Sequence, residues 1–164
     1  MKVFTIAEIG INHNGSLDIA KKLINVAKLA NCDFVKFQKR NPDVCVPEHQ
    51  KGVLRQTPWG EMRYIDYKHK MEFGKEEFDE IDAYCKQQEI QWTTSVWDMD
   101  SLNFSLQYDL PFLKIPSALI TELDLVRETA RNSKQIILSS GMSTEEEVDT
   151  AINTALEVSD NVVM

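Results

Sequence analysis

Two lysines stand in the middle of otherwise apolar runs: Lys36 in Phe34-Val35-Lys36-Phe37-Gln38, and Lys114 in Phe112-Leu113-Lys114-Ile115-Pro116. A lysine is rarely buried without a partner, because its ammonium group gives up strong hydration. Two such lysines in two similar runs predict one place where an anion is held. Glu8 interrupts a third apolar run. It reads either as an ion-pair partner for a lysine or as a carboxylate that orients a water or a substrate hydroxyl, and the two roles are compatible. Each lysine taken alone also reads as a snorkelling side chain with a dry stem. A desolvated lysine can serve as a Schiff-base nucleophile as well. That chemistry needs only one lysine, so the pair favours an electrostatic clamp for phosphate and carboxylate.

Further polar residues fall just after apolar runs: Gln38; Thr94, Ser95 and Asp98; Ser117; and Ser139, Ser140 and Gly141. Ser139-Ser140-Gly141-Met142-Ser143-Thr144 reads as a strand-to-helix connection. Its hydroxyls, a permissive glycine and the free N–H groups of a helix start suit an anion, and the plainer reading is a good N-cap. Ile11-Asn12-His13-Asn14-Gly15 reads as a turn, with His13 structural or solvated. His49 and His69 show no ligand spacing, and no metal site is legible.

These residues need elements to position them. Apolar or β-branched runs at 3–9, 34–38, 92–97, 112–117, 135–139 and 161–164 read as strands of a parallel sheet covered on both faces. Helical patterns lie between them, over 17–30 with Ser16 as cap, over 75–89, and over 101–108. Two more start at Thr121/Asp124 and Ser143/Glu146, both read as capping-box pairs. Strand–helix alternation implies parallel β/α units, whose functional groups gather at the C-terminal ends of the strands. The polar residues above fall at those ends. Residues 39–74 show neither a clear strand nor a long helix, and carry Trp59, Tyr64 and Tyr67. A connection of that length reads as functional, with a lid over the strand ends as one role and packing as the other. About five units and a sixth strand are too few to close an eight-stranded barrel. The chain therefore reads as part of a longer protein or as an open sheet.

At 164 residues the chain suffices for one domain with a real core, and its net charge of −8 argues against a nucleic-acid or anionic-membrane partner. No apolar stretch is long enough to span a bilayer and no signal-peptide pattern opens the sequence. Cys32, Cys45 and Cys85 are odd in number and scattered, which fits a reducing cytoplasm, with Cys85 in the core.

The segments Glu8-Ile9-Gly10-Ile11-Asn12-His13-Asn14-Gly15, Val35-Lys36-Phe37-Gln38, Lys114-Ile115-Pro116-Ser117 and Ile137-Leu138-Ser139-Ser140-Gly141-Met142 resemble sialic acid synthases. Thr57-Pro58-Trp59-Gly60-Glu61-Met62 with Tyr67-Lys68 is similar to one branch of them. The resemblance runs over essentially the whole chain, in order. It implies a (β/α)8 TIM-type barrel, present here as about its first five units and a sixth strand, followed in the family by a small antifreeze-like domain that this chain lacks. It implies condensation of phosphoenolpyruvate with N-acetylmannosamine or a related N-acetylated hexose and water, giving a nonulosonic acid and phosphate. It also implies a homodimer, and a divalent metal (manganese or magnesium) held by histidines of later strands and by no residue of this chain.

Carried onto matching positions, Lys36, Lys114, Ser117, Ser139 or Ser140, and Gly141 would hold phosphoenolpyruvate, with Ser95 joining them. Glu8 would lie beside the reacting carbon and Gln38 near the sugar. Ala118 and Leu119 follow Ser117 where users of N-acetylmannosamine often place glycine and an acid, and Pro116 replaces a small residue, so the sugar's identity stays open. The chain by itself is expected to be inactive. The alternatives are a class I Schiff-base lyase and a non-catalytic half-barrel.

Overall fold

The computed structural model describes residues 3–164. The elements run β1 (Ile6–Gly10), α1 (Leu17–Leu29), β2 (Phe34–Lys39), α2 (Pro42–Cys45), α3 (Glu48–Lys51), β3 (Leu54–Thr57), β4 (Gly60–Arg63), α4 (Tyr64–Met71), α5 (Lys75–Gln87), β5 (Gln91–Val96), α6 (Met99–Ser105), β6 (Leu113–Ile115), a 3-10 turn (Ser117–Leu119), α7 (Leu123–Asn132), β7 (Ile136–Leu138), α8 (Glu145–Leu156) and β8 (Val162–Val163).

Six strands form one sheet in the order β1-β2-β5-β6-β7-β8, and every neighbouring pair is parallel. Each strand lies beside the next in chain order, so the order never reverses. Crossovers of one hand then place all the helices on the same face. A doubly wound open sheet would instead have a switch point, with helices on both faces. The fold is therefore α/β and singly wound, of the (β/α)8-barrel type, with five β/α units and a sixth strand described. The packing of α1 on α5 and of α7 on α8 agrees with one helical layer.

Strand alternation sorts the side chains. Val35 and Phe37 of β2, Trp92 of β5, Leu113 and Ile115 of β6, and Ile136 and Leu138 of β7 face the helices. They join Ala20, Ile24, Ala27, Phe78 and Ile81 in the core. The Phe78 ring lies against Trp92, with centroids 5.5 Å apart. Burying such a side chain contributes about 1.5–3 kcal/mol each. The opposite face carries Phe34, Lys36 and Gln38 of β2 and Lys114 of β6. At its lower end Phe34 meets Phe112 edge-on at 5.1 Å, which closes the space beneath the lysines.

Helix α1 begins where expected: the Ser16 hydroxyl accepts from the Ile19 N–H. The other two starts differ. Helix α7 is preceded by Glu122, with no side-chain cap, because the Thr121 carbonyl already accepts from Leu123 N–H in the turn that leaves the 3-10 segment. Helix α8 is capped one residue later than expected, by Thr144 with Glu147. Ser143 is spent in the preceding turn, where its N–H donates to the Ser140 carbonyl. Helix α6 also starts two residues earlier than the pattern suggested, under an Asp98 cap.

Residues 39–74 are not an irregular loop. They hold three helices and an antiparallel β3–β4 hairpin. The helices α2 and α3 are four residues each and the hairpin strands are largely exposed, so neither leaves a period in the sequence. The aromatic residues pack here. Tyr64 stacks on Tyr67, Arg55 lies 4.0 Å from the Tyr64 ring centroid, and the Lys70 ammonium sits over Trp59. The segment is pinned onto the turn after β1. His13 is buried and stacks on Phe73 at 3.9 Å. At Gly15, which has φ +66°, a Cβ would lie 2.3 Å from the Lys70 carbonyl oxygen. A buried Arg40–Glu72 ion pair makes a second tie.

Candidate active site

Lys36 is the most enclosed large side chain of the concave face, only 2% exposed. Register explains its neighbours: Lys36 pairs across the sheet with Glu8 of β1, and Ser95 of β5 pairs with Lys114 of β6. Its ammonium reaches the Glu8 carboxylate at 2.7 Å and donates to the Ser95 hydroxyl at 3.2 Å. Ser95 in turn donates to the Phe37 carbonyl. The other Glu8 oxygen lies 3.6 Å from the Lys114 ammonium. One carboxylate thus stands between two lysines. Of the two lysines, Lys36 is buried and Lys114 half-buried, and both ammonium groups converge on the same carboxylate.

A β-bulge directly follows the carboxylate. The register between β1 and β2 shifts between Glu8 and Gly10, so Ile9 is the extra residue. Bulges bend the strand end and turn a side chain to a new direction. Burial pushes the Lys36 ammonium below its ordinary range, and nearby Lys114 adds to that. The bond to Glu8 and the Glu8 charge act the other way. Glu8 is 55% exposed and Lys114 22% exposed, so this end of the sheet opens to solvent.

The remaining strand-end residues differ in exposure and in what they meet. Gln38 is half-buried, with its amide nitrogen near Gly10. Ser117 opens the 3-10 turn after β6 and meets the loop after β7: a Cβ on Gly141 would lie 3.3 Å from the Ser117 hydroxyl. Gly141 therefore matters for close approach. The left-handed residue of this loop is Met142, at φ +65°. Ser139 is half-buried and Ser140 exposed.

The expected helix-start cradle takes a different form. Glu147 closes the first turn of α8 by accepting from Thr144 N–H, and Glu145 and Glu146 add two more carboxylates there. The capping box and three acidic side chains therefore occupy the start of α8, and Ser139, Ser140 and Gly141 precede it in the loop. Asp98 is structural: it caps α6 and accepts from Asn41 N–H and the Cys45 thiol. His13 is structural too. Its Nδ1 accepts from Gly15 N–H, and burial holds its pKa down at about 4, assisted by the Arg40 charge. Sequence reasoning missed the Arg40–Glu72 tie, since nothing in the spacing of those two residues signals it.

Fold and site together define a singly wound parallel β/α chain with a dicationic, carboxylate-bridged strand-end site. The chain belongs to the NeuB family, whose model matches residues 23–164. The N-acetylneuraminate-9-phosphate synthase of Drosophila melanogaster is 33% identical over 157 residues, covering 94% of this chain and 42% of that protein. The N,N'-diacetyllegionaminic acid synthase of Campylobacter jejuni is 34% identical over 154 residues, covering 93% and 46%. Among solved structures, the N-acetylneuraminic acid synthetase of Leptospira borgpetersenii, in complex with citrate, superposes with a TM-score of 0.86 at 26% identity, over 99% of this chain and 53% of that one. A truncated 3-deoxy-D-arabino-heptulosonate 7-phosphate synthase of Thermotoga maritima shares the fold alone, with a TM-score of 0.68 at 11% identity. The chain spans about half the length of these relatives.

Proposed function

We propose that the chain is the N-terminal, phosphoenolpyruvate-binding part of a sialic acid synthase-type enzyme that joins phosphoenolpyruvate to an N-acetylated hexose. The observation that carries this reading is the single carboxylate held between Lys36 of β2 and Lys114 of β6, two strands apart in the sheet. Phosphoenolpyruvate combines a carboxylate with a phosphate, and two ammonium groups in a half-enclosed site match both. Ser95, Ser117, Ser139 or Ser140, and the Gly141 backbone supply further contacts. Glu8 lies beside the reacting carbon, and Gln38 faces the sugar.

In the reaction, the methylene carbon of phosphoenolpyruvate forms a bond to the aldehyde carbon of the open-chain hexose, whose oxygen takes up a proton. Water adds to the cationic carbon left behind and loses a proton. The carbon–oxygen bond to phosphate then breaks, giving the 2-keto acid and inorganic phosphate. The lysines hold the anion and balance charge as phosphate leaves. Among the described residues no group of three or more His, Cys, Asp or Glu side chains stands ready for a metal ion. The divalent metal that the resemblance implies needs donors other than these, and no step is routed through it.

The acceptor, the homodimer and a cytoplasmic location belong to the same proposal. Among the described residues the three cysteines are free and no helix is long and apolar enough to cross a membrane. The test is phosphate release by the full-length protein that carries this chain, given phosphoenolpyruvate, manganese and a panel of N-acetylated hexoses. Release with at least one hexose is expected. No release with any of them refutes the reading.

A further inference from the structure

We infer that Glu8 is a resident counter-ion: it lies between Lys36 and Lys114 where the substrate's acid group would sit, and the incoming anion displaces it. This rests on the phosphoenolpyruvate reading and adds a positioning role that the reading does not contain. Three observations carry it. First, Glu8 divides its two oxygens between the lysines, at 2.7 Å and 3.6 Å, as a bound acid would. Second, the carboxylate is the exposed partner. Glu8 is 55% exposed and has solvent to turn into, whereas Lys36, at 2%, is fixed by its surroundings and by Ser95. Third, an anion bound to the same two ammonium groups would stand beside Glu8, and like charges at contact distance in a half-buried site repel.

The arrangement also bears on Lys36 itself. Burial works against the charged form of Lys36, while the bond to Glu8 favours it. Glu8 therefore offsets part of the effect of burial on Lys36. Once displaced, its carboxylate is free to face the reacting carbon.

The test is calorimetric titration of the chain and of Glu8→Gln with inorganic phosphate and with phosphoenolpyruvate. Removal of the competing charge should strengthen binding of both anions by roughly tenfold, an effect moderated by the exposure of Glu8. Equal or weaker binding by Glu8→Gln, while the unaltered chain still binds, overturns the exchange and leaves the phosphoenolpyruvate site standing. No binding by either at millimolar anion overturns both. A second measurement needs no variant: the Glu8 side-chain carboxyl 13C resonance of the unaltered chain should move when phosphate saturates the site. An unmoved resonance at saturation also overturns the exchange.

Discussion

Replacing Lys36 with methionine separates a cation kept for binding from one kept for stability. The ammonium is almost fully enclosed and has two partners, Glu8 at 2.7 Å and Ser95 at 3.2 Å. At an effective dielectric constant near 20, the attraction to Glu8 at that distance is about 6 kcal/mol. Glu8 is 55% exposed, so surrounding water reduces this to roughly 2–3 kcal/mol. Taking an ammonium out of water costs several kcal/mol, and the two terms nearly cancel. Methionine keeps most of the stem's packing volume. The carboxylate it leaves behind is not stranded, because Glu8 faces solvent. The expected change in folding stability is within about 1 kcal/mol of either sign, or roughly 2–4 °C in melting temperature for a chain of this size. Binding behaves differently. Loss of a charge-assisted contact of about 1.5–3 kcal/mol weakens phosphoenolpyruvate binding roughly 10- to 100-fold. Thermal unfolding followed by circular dichroism reads the first number and calorimetric titration the second. A melting temperature lowered by more than about 10 °C, with anion affinity unchanged in the folded fraction, would refute the argument and make Lys36 a structural residue.

Three further outcomes are expected. His13 carries a folded pKa of about 4 against 6.5 when unfolded, so the unfolded chain binds the extra proton between those values. The stability it protects is complete above about pH 6.5 and falls by roughly 3 kcal/mol as pH drops to about 4; urea titrations across that window should show this slope, and His13→Asn should remove it. Gly141→Ala puts a methyl group 3.3 Å from the Ser117 hydroxyl, a side-chain tip that can rotate away. Stability should therefore stay within about 0.5 kcal/mol, while phosphoenolpyruvate binding weakens several-fold by calorimetry. Borohydride reduction with pyruvate should add no mass to Lys36 or Lys114, since both side-chain nitrogens are engaged by Glu8. A stable adduct on either lysine, read by peptide mass spectrometry, would restore the Schiff-base alternative.

Much of the site was legible before any coordinates, for a definite reason. An ionisable residue inside an apolar strand is rare enough to carry information, and strand parity alone puts Lys36 and Gln38 on one face. The α1 cap at Ser16 was readable because a short polar residue before an apolar period has a local cause. The segment 39–74 was not readable in that way. Its four-residue helices and exposed hairpin bury no continuous stripe, and it is held by the Phe73–His13 stack and the Arg40–Glu72 pair, between residues 60 and 32 positions apart along the chain. The α8 start shows a third case. Two overlapping pairs, Ser143/Glu146 and Thr144/Glu147, fit one local rule, and the turn through Met142 chose the second.

The sequence by itself determined that this is a parallel β/α chain with two cationic strand centres and a carboxylate inside a third apolar run. Those properties follow from residue type and period, which are local. Tertiary structure decided whether the sheet is singly or doubly wound, because strand order is a relation among segments far apart in the chain. It also decided that Glu8 serves both lysines at once. That depends on the Glu8–Lys36 register between β1 and β2 and on the stagger between β2 and β6 across β5, which bring three strands' side chains to one point.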